Sequence, residues 1–374
     1  MRPAAEGRLR VAGLVPYPVG IAPSQRFRLE QWQPHLAAEG IDLELLPFAD
    51  PALRELLYRP GHWLRKAAAL SRATLRRLRR LPALRDYHAV VVHRASFLGG
   101  PALLERLVGR AGRPVVYDFD DAIFRLHASE ANRALAWLKF PGKTATLCRL
   151  SAHVVVGNAY LADYARRFNE RVTIVPTSVD TDRFRPAPRD ASPTVVVGWT
   201  GSSTSQTHLE LFAPVLQALT ARRSVELRVV SDRAPALPGV PHVWVPWTAE
   251  DEPSELARFD LGIMPMPDDE WSRGKCALKA LLCMAMGVPT VCSAVGANLE
   301  VIEHGVNGLL ARTPEDWLAA LERLIDDPSL RARLGAAGRR TVEERYSMRR
   351  SARALAEVIR GEVGRARSDD PERA

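Results

Sequence analysis

Three carboxylates stand within four residues of one another, at Asp118, Asp120 and Asp121. They directly follow a β-branched run at residues 114–117, so we expect them at the carboxyl end of a strand. Negative charges this close together repel one another, and they are costly unless a cation, a hydrogen-bond donor or solvent offsets them. This cluster is the strongest functional signal in the first half of the chain.

Segments with strand and helix patterns alternate along the chain, and they must position these groups. Short β-branched runs predict strands, and stretches with apolar residues at helical spacing, such as residues 25–39, predict the helices between them. The predicted strands of the first half are residues 10–15, 41–47, 89–93, 114–117, 153–156 and 172–175. Parallel strands need crossover helices, so the alternation predicts a parallel sheet covered on both faces.

The alternation begins again after residues 185–193, whose prolines and charges indicate a linker. The predicted strands are then residues 194–199, 225–230, 242–245, 261–264, 289–292 and 308–311, and the predicted helices 207–221, 252–257, 275–286, 298–304 and 314–325. The predicted fold class is α/β, with two doubly wound Rossmann-like domains facing across a cleft. We expect these domains at residues 1–186 and 187–345, and a last helix at 346–374 that crosses back to the first domain before a polar tail.

Composition excludes several classes of protein. The chain has 374 residues, 47% of them hydrophobic and 25% charged, which excludes a disordered tail or a fibre. No apolar stretch reaches the roughly 18 residues that span a bilayer, and the first ten residues lack the apolar run of a signal peptide. We therefore expect a soluble, cytoplasmic protein. The four cysteines form no Cys-x-x-Cys pair, so neither disulfides nor a zinc site is expected.

The positive charge is concentrated in the first half. Residues 1–186 contain 29 Lys and Arg against 17 Asp and Glu, a net of +12, whereas residues 187–374 contain 23 against 26, a net of −3. Residues 61–81 alone hold seven basic residues and no acid. Within them, apolar or small side chains share one helical face, and basic residues crowd the remaining faces: Leu64, Ala67, Ala68, Ser71, Leu75 and Leu78 against Arg65, Lys66, Arg72, Arg76, Arg77, Arg79 and Arg80.

This basic amphipathic segment has more than one interpretation. It is compatible with a solvated helix, and equally with attraction to anionic lipid or to a phosphate-bearing partner. The second interpretation adds a peripheral association with the inner face of the membrane to the cytoplasmic location. Nucleic acid is not expected as a partner, because no helix-turn-helix, zinc-finger or aromatic RNA-binding signature accompanies the segment.

Several motifs in the second half follow one another in a specific order. Gly274 precedes a predicted helix, Met284-Ala285-x-Gly287-x-Pro289 turns into a strand, Gly296 is followed four residues later by Glu300, and Asn307-Gly308-Leu309 closes the run. With "VPTSVDTDRF" at residues 175–184 and "VVYDFDDAIF" at residues 115–124, this order resembles GT-B glycosyltransferases close to family 4, in a bacterial branch with a lysine-rich donor helix. The resemblance covers nearly the whole chain.

The resemblance implies an enzyme that moves a sugar from a nucleoside diphosphate-sugar to a hydroxyl acceptor, with retention of configuration and without a metal ion or further cofactor. The basic first domain favours a lipid-linked or cell-envelope saccharide as the acceptor. Two alternatives stay open at this point. One is a non-catalytic GT-B binding or scaffold protein, and the other is a GT-B sugar-nucleotide epimerase.

Donor-binding residues follow from the resemblance and from helix chemistry. Amide groups at the start of the predicted 275–286 helix would bind a diphosphate, and Lys275 and Lys279, four apart, would share one face of that helix. Lys279 would also stabilise the leaving diphosphate during catalysis. The remaining expected donor-side residues are Gly20, Gly201, Ser202, Ser203, Trp247, Arg273, Gly274 and Glu300. Family members usually carry two glutamates at the positions of Gly274 and Leu282, so we expect Glu300 to bind the ribose.

Acceptor-side residues are expected in the first domain. Many family members have a histidine near Asp120, so Asp120 is the first candidate to orient the acceptor or act as a base, with Asp118 as a second catalytic candidate. Asp118 and Asp120 also have the form of the metal-binding Asp-x-Asp of another glycosyltransferase fold, although the prediction here is that no metal is bound. Arg26, Arg28 and Asp121 are the expected acceptor-side contacts, and His93 and His127 are additional candidates.

Overall fold

Two six-stranded parallel sheets organise the chain. The computed structural model describes residues 7–59, 61–98, 103–125, 140, 142–187 and 194–369. His127 and residues 188–193, most of the predicted linker, lie outside these residues. The chain divides into two compact units: unit 1 comprises Met1–Thr177 and Met348–Ala374, and unit 2 comprises Ser178–Ser347.

The sheet of unit 1 has the order β2-β1-β3-β4-β5-β6. Its strands are β1 (Leu9–Val15), β2 (Ile41–Pro47), β3 (Ala89–His93), β4 (Val115–Phe119), β5 (His153–Val156) and β6 (Val172–Ile174). All five residues of β3 and all five of β4 are buried. Central strands of a parallel sheet are covered on both faces, and this is why β3 and β4 begin with consecutive apolar residues rather than an alternating pattern.

Helices on both faces of this sheet connect its strands. They are α1 (Pro23–Gln25), α2 (Gln33–Ala38), α3 (Pro51–Tyr58), α4 (Trp63–Arg80), α5 (Leu103–Gly109), α6 (Gly142–Leu150) and α7 (Ala159–Arg166). A π-helical turn, Arg26–Glu30, follows α1, and a 3₁₀ turn, Leu81–Asp86, follows α4. The single helix predicted over residues 25–39 is therefore divided into shorter pieces.

The sheet of unit 2 has the order β12-β11-β10-β7-β8-β9. Its strands are β7 (Val195–Gly201), β8 (Val225–Ser231), β9 (Val243–Pro246), β10 (Leu261–Met264), β11 (Thr290–Ser293) and β12 (Leu309–Ala311). Its helices are α8 (Ser203–Leu211), α9 (Ala213–Arg222), α10 (Glu252–Leu256), α11 (Glu270–Arg273), α12 (Leu278–Ala285), α13 (Asn298–Val301), α14 (Pro314–Asp326) and α15 (Pro328–Arg345). The predicted class of two doubly wound Rossmann-like domains is confirmed.

The last helix, α16 (Met348–Asp369), belongs to unit 1. It packs against α2, β3 and β5, and the Ser351 hydroxyl donates to the carbonyl of Pro176 at 3.1 Å. The boundary between the units lies at Thr177, before the predicted residue 186. The residues in between belong to unit 2 because Arg339 of α15 donates to the carbonyls of Thr181 and Phe184.

Two predicted helices of unit 2 begin or end differently. The segment predicted as one helix over residues 207–221 forms α8 and α9, which meet at Phe212 just before Pro214. The helix predicted to begin at Lys275 begins at Leu278 instead, because Ala277 adopts a left-handed conformation with φ +55°. Residues 275–277 therefore form the connection from α11 to α12.

Helix α4 is the predicted basic segment, but its orientation is the reverse of what an amphipathic pattern suggests. Apolar faces of such helices usually pack inward. Here Lys66, Ala73 and Arg77 are buried, whereas Leu64 and Leu75 are exposed. Among the described residues, no helix combines the length and the apolar composition required to cross a membrane.

Candidate functional site

Each sheet has a point where its strand order reverses, and polar and charged residues follow the strands at that point. In unit 1 the order reverses between β1 and β3, and in unit 2 between β7 and β10. Doubly wound sheets bind ligands outside the carboxyl ends of the strands at such points. The residues that follow these strands therefore define one half-site in each unit.

Asp118 is the buried anchor of the unit 1 half-site. It lies on β4 opposite His93 of β3. The Nε of Arg28 donates to both carboxylate oxygens at 3.0 and 3.1 Å, and the Nδ1 of His93 lies 2.6 Å from Oδ2. Burial favours the neutral acid, but the charge of Arg28 and the hydrogen bond with His93 outweigh it and lower the pKa of Asp118. Asp118 is thus an ionised group that is fully occupied with protein partners.

Asp120, two residues further on, has a different set of partners. Its Oδ1 accepts from the Ser24 hydroxyl at 2.5 Å and from Nε and Nη2 of Arg94 at 3.0 and 2.9 Å. Burial opposes ionisation, but the positive charge of Arg94 and further charges at His93 and Arg28 prevail and lower the pKa of Asp120. Both carboxylates are therefore ionised in the folded protein at neutral pH.

Arg94 joins Asp120 to Asp121. Its Nη2 donates to both carboxylates, and its backbone has φ +59°, a left-handed conformation that is unfavourable for a residue with a side chain. Two backbone contacts hold this conformation: the Arg94 amide donates to the Asp118 carbonyl at 2.8 Å, and the Arg94 carbonyl accepts from the Tyr117 hydroxyl at 2.9 Å. Strain of this kind often accompanies functional sites.

Ser24 completes a continuous chain of hydrogen-bonded side chains. Its Oγ lies 2.9 Å from Nε2 of His93 and donates to Asp120, so the chain runs Asp118–His93–Ser24–Asp120. Sequence reasoning named His93 only as an additional candidate and missed Ser24 and Arg94. A usable signal was their position, because Arg94 directly follows β3 and Ser24 lies in α1, the first element after β1.

The predicted acceptor contacts Arg26 and Arg28 are both buried. The Arg28 side chain is 0% exposed, and its Nη1 donates to the carbonyl of Val175 at 2.8 Å. This guanidinium group therefore stabilises Asp118 from within the unit, and the expectation that it faces an acceptor is corrected. Asp121 lies beside Asp120, as the sequence requires, and is only half-buried.

The predicted Gly20 loop is exposed, and Glu30 fixes its backbone through a hydrogen bond. The Gly20 amide donates to Oε2 of Glu30 at 2.8 Å, and the other carboxylate oxygen accepts from Nε2 of Gln25 at 2.7 Å. Gly20 has φ +87°, and a Cβ at this position would meet nothing within 4 Å. The loop thus presents an open backbone beside the half-site of unit 1.

In unit 2, Gly201 and Lys279 meet at the strand reversal. Gly201 ends β7, and a Cβ built on it would lie 2.7 Å from Cε of Lys279, 2.6 Å from the ring of Trp199 and 2.8 Å from Oγ of Ser205. Any larger residue at this position would force these side chains to move. The ammonium group of Lys279 lies 5.5 Å from the centroid of the Trp199 ring, within the range of a cation–π contact. The structure therefore brings two sequence-predicted donor residues together.

Lys275 and Gly274 occupy different places from those predicted. Lys275 precedes α12, so it does not share a helical face with Lys279, and that prediction is wrong. Its ammonium group lies 4.6 Å from the centroid of the Trp271 ring. Gly274 is buried as the C-cap of α11 rather than the residue before α12. Arg273 is half-exposed and pairs with Asp268 at 2.7 Å.

The serine loop after β7 already holds an anion of the protein. The Ser203 amide donates to Oδ1 of Asp232 at 2.5 Å, and the Ser203 hydroxyl lies 3.0 Å from Oδ2. Ser202 is the N-cap of α8, and its hydroxyl is 2.8 Å from that of Thr204. A carboxylate at a helix N-terminus is favourable, so Asp232 takes a position that was expected to bind phosphate.

Trp247 and Glu300 lie at other carboxyl ends of the same sheet. Trp247 follows β9, is half-buried, and donates its amide to the Ser231 carbonyl at 3.0 Å. Glu300 is exposed on α13, which follows β11, and its carbonyl accepts from the hydroxyl of Tyr346 at 3.2 Å. Their predicted roles toward base and ribose stay predictions.

Known proteins share both the sequence pattern and the fold. Residues 194–327 match the family described as "Glycosyl transferases group 1", and residues 29–183 match "Glycosyltransferase Family 4". The D-inositol 3-phosphate glycosyltransferase of Thermobispora bispora is 28% identical over 239 residues, 56% of this chain and 55% of that protein. The MMP alpha-(1->4)-mannosyltransferase of Mycolicibacterium hassiacum is 29% identical over 197 residues, 48% of this chain and 45% of that protein. The chain spans about half the length of these curated relatives.

Solved structures resemble the chain over almost its full length. Sucrose-phosphate synthase from Thermosynechococcus elongatus has a TM-score of 0.68 at 15% identity and covers 95% of this chain and 99% of its own. HepE of Anabaena, solved with UDP and glucose, has a TM-score of 0.64 at 16% identity and covers 95% of this chain and 100% of its own. At such low identities these likenesses show the fold. Taken with the two family matches, they establish that the chain belongs to the GT-B glycosyltransferases, with a family 4 domain in unit 1 and a group 1 domain in unit 2.

Proposed function

We propose that the protein transfers a sugar from a nucleoside diphosphate-sugar to a hydroxyl acceptor. The observation that carries this proposal is the contact of Lys279 with Gly201 and Trp199 at the strand reversal of unit 2. A cation held against a glycine at this point of a doubly wound sheet can meet a phosphate group that approaches the backbone closely.

Departure of the diphosphate is the step that this half-site supports. As the bond from sugar to phosphate breaks, negative charge grows on the leaving diphosphate, and fixed positive groups stabilise it. Lys279 supplies a full charge, and the first-turn amides of α12 supply donors that the helix itself leaves unused. The Asp232 carboxylate already accepts from the amide at the start of α8. The serine loop would therefore stabilise the diphosphate less than Lys279 does.

Asp120 is the proposed acceptor-side group of unit 1. Its lowered pKa makes it a weak base, so it would orient an acceptor hydroxyl by accepting a hydrogen bond rather than by removing its proton early. Ser24 and Arg94 fix its position, and Asp121 lies beside it. Asp118 and Arg28 act behind them as a buried positioning pair.

Retention, metal independence and the substrate class belong to the same proposal. The carboxylates of Asp118 and Asp120 already have guanidinium partners, which supports a reaction without a metal ion on the Asp-x-Asp sequence. The HepE structure contains UDP, and two curated relatives are named D-inositol 3-phosphate glycosyltransferase and MMP alpha-(1->4)-mannosyltransferase. We propose a lipid-linked or cell-envelope saccharide as the acceptor.

The test is transfer itself. The full chain is incubated with uridine, guanosine, adenosine and thymidine diphosphate sugars and with envelope saccharide acceptors, and release of the nucleoside diphosphate is followed with and without EDTA. Lys279→Ala should lower kcat/KM by about 2 to 4 kcal/mol of transition-state stabilisation, roughly 30- to 1,000-fold. The matched variant Lys275→Ala should lose less, because its ammonium group lies over Trp271.

The outcomes separate the alternatives. Reaction of the donor without any acceptor would favour a sugar-nucleotide epimerase. Absence of donor binding would favour a binding or scaffold protein, a possibility suggested by the buried Leu282 at a position where the resemblance to family 4 predicts an acid. Collapse of activity in EDTA would contradict metal independence.

A further inference from the structure

Two arginines of the basic segment, one buried and one exposed, make contacts within unit 1. Arg77 is 4% exposed, and its Nη2 donates to the carbonyl of Leu46 at 2.7 Å. Arg76 pairs with Asp50 at 3.1 Å and donates to the carbonyl of Phe48 at 2.9 Å. Arg76 and Arg77 therefore stabilise the end of β2 and the residues after it.

The outward face of α4 carries exposed apolar residues. Leu64 is 87% exposed and Leu75 is 48% exposed. Leu64, Ala68, Ser71 and Leu75 follow one another at intervals of three and four residues, so they form a single stripe along the helix, and each of them is exposed. Exposed apolar residues that form a continuous stripe indicate an interaction surface.

Arginines border this stripe on one side. Arg65, Arg72 and Arg79 are all exposed and repeat every seven residues, which places them next to the stripe and away from the buried face. Residues 61–81 contain no acid that could neutralise them. We name the stripe and these three arginines the α4 outer face.

We propose that the α4 outer face docks on the surface of an anionic lipid bilayer. Leu64 and Leu75 would enter the boundary between headgroups and acyl chains, while the arginines contact lipid phosphates. A charged but apolar face suits this boundary better than it suits nucleic acid, where the leucines would gain no burial. Lipid binding by this face is a separate property from the proposed sugar transfer, because it needs neither donor nor acceptor.

Flotation with lipid vesicles tests the proposal on the full chain. The protein should float with vesicles made of equal parts phosphatidylcholine and phosphatidylglycerol, stay unbound with phosphatidylcholine alone, and leave the vesicles at high salt. Each arginine near an anionic surface raises partitioning about fivefold, so the triple variant R65Q/R72Q/R79Q should bind roughly 100-fold more weakly. Arg76 and Arg77 are left intact because they hold the fold.

A matched control separates the effect of the α4 outer face on lipid binding from the effect of the protein's net charge. The triple variant R349Q/R350Q/R353Q removes the same charge from exposed positions on α16 and should float like the unchanged protein. Equal loss in both triple variants, equal binding to neutral vesicles, or no flotation at low salt would overturn the proposal.

Insertion of the stripe has its own readout. In Leu75→Trp, which places a tryptophan on the stripe, brominated lipids should quench the fluorescence of the bound protein more than in the unchanged chain, which already has eight tryptophans. Equal quenching in Leu75→Trp and the unchanged chain would overturn the assignment to this face. The variant R65Q/R72Q/R79Q should lose lipid binding and still bind a nucleoside diphosphate. Lipid docking and sugar transfer can therefore fail independently of one another.

Discussion

Arg28 and Asp118 form a completely buried ion pair, with side chains that are 0% and 1% exposed. Arg28 lies in the π-helical turn after α1, and Asp118 lies on β4, so the pair joins the segment after β1 to the centre of the unit 1 sheet. The same carboxylate contacts His93, which continues through Ser24 to Asp120. This pair therefore holds the side chains that position Asp120, the proposed acceptor-side group.

Removal of one partner should be severe. Asp118→Ala leaves the Arg28 charge buried without its counter-ion, and we expect a loss of about 3 to 5 kcal/mol in the free energy of unfolding. Urea denaturation measures this loss. Asp42→Ala is the matched control, because it removes an aspartate that pairs with Arg8 at 2.6 Å on the surface of the same sheet. Exposed pairs contribute little, so similar losses in the two variants would contradict the assigned role.

Acid should weaken unit 1 in a predictable direction. Asp118 and Asp120 have a lowered pKa in the folded protein, whereas the pKa of an aspartate in an unfolded chain is about 3.9. Their contribution to stability is therefore present above about pH 4 and is lost as the pH falls through the folded pKa values. Urea midpoints measured from neutral pH to about pH 2 should fall more steeply for the unchanged protein than for Asp118→Asn. Identical slopes would show that Asp118 is not the titrating group.

A single methyl group at Gly201 should disturb the proposed donor half-site of unit 2. In Gly201→Ala the new Cβ would lie 2.7 Å from Cε of Lys279 and 2.6 Å from the Trp199 ring, so both side chains must move. Overpacking of this kind costs about 1 to 3 kcal/mol, and binding of a nucleoside diphosphate should weaken with it. Gly364→Ala on α16 meets nothing within 4 Å and should leave stability equal or higher. Thermal unfolding and calorimetry of the two variants compare these effects.

Asp232 should compete with the donor. Its carboxylate accepts from the Ser203 amide at the start of α8, where a phosphate of the donor would otherwise be favoured. Asp232→Asn removes this negative charge, and we expect nucleoside diphosphates to bind about two- to fivefold more tightly. Asp326→Asn is the control, because it makes the same charge change beside Arg223, at the end of α14. Weaker binding in Asp232→Asn would mean that the carboxylate organises the loop for the donor.

The strands were largely predictable from sequence, and the starts of helices were not. Buried parallel strands such as β3 and β10 are short β-branched or apolar runs between helices, so their bounds were predicted correctly. The start of α12 depends on one left-handed residue, Ala277, which periodicity does not reveal. This local conformation separates Lys275 from Lys279 and explains the error in the predicted lysine pair.

The half-site of unit 1 was only partly predictable for a different reason. Asp120 was selected as a candidate because three carboxylates in four residues are unusual in any sequence. Ser24 and Arg94 lie far from Asp120 along the chain, and they contact it only because β1, β3 and β4 end at one edge of the sheet. In the same way, helical spacing placed the apolar stripe of α4 correctly, but spacing alone does not determine which face packs inward.

Calorimetric titration of a nucleoside diphosphate panel into the unchanged protein and Lys279→Ala tests the central claim most directly. The ammonium group of Lys279, held at Gly201 and Trp199, should form a charge-assisted contact with the diphosphate. Such contacts contribute about 1.5 to 3 kcal/mol, so one of the uridine, guanosine, adenosine or thymidine diphosphates should bind the unchanged protein and bind Lys279→Ala roughly 10- to 150-fold more weakly. No binding of any diphosphate at millimolar concentration, or equal affinity in the two proteins, would contradict the account.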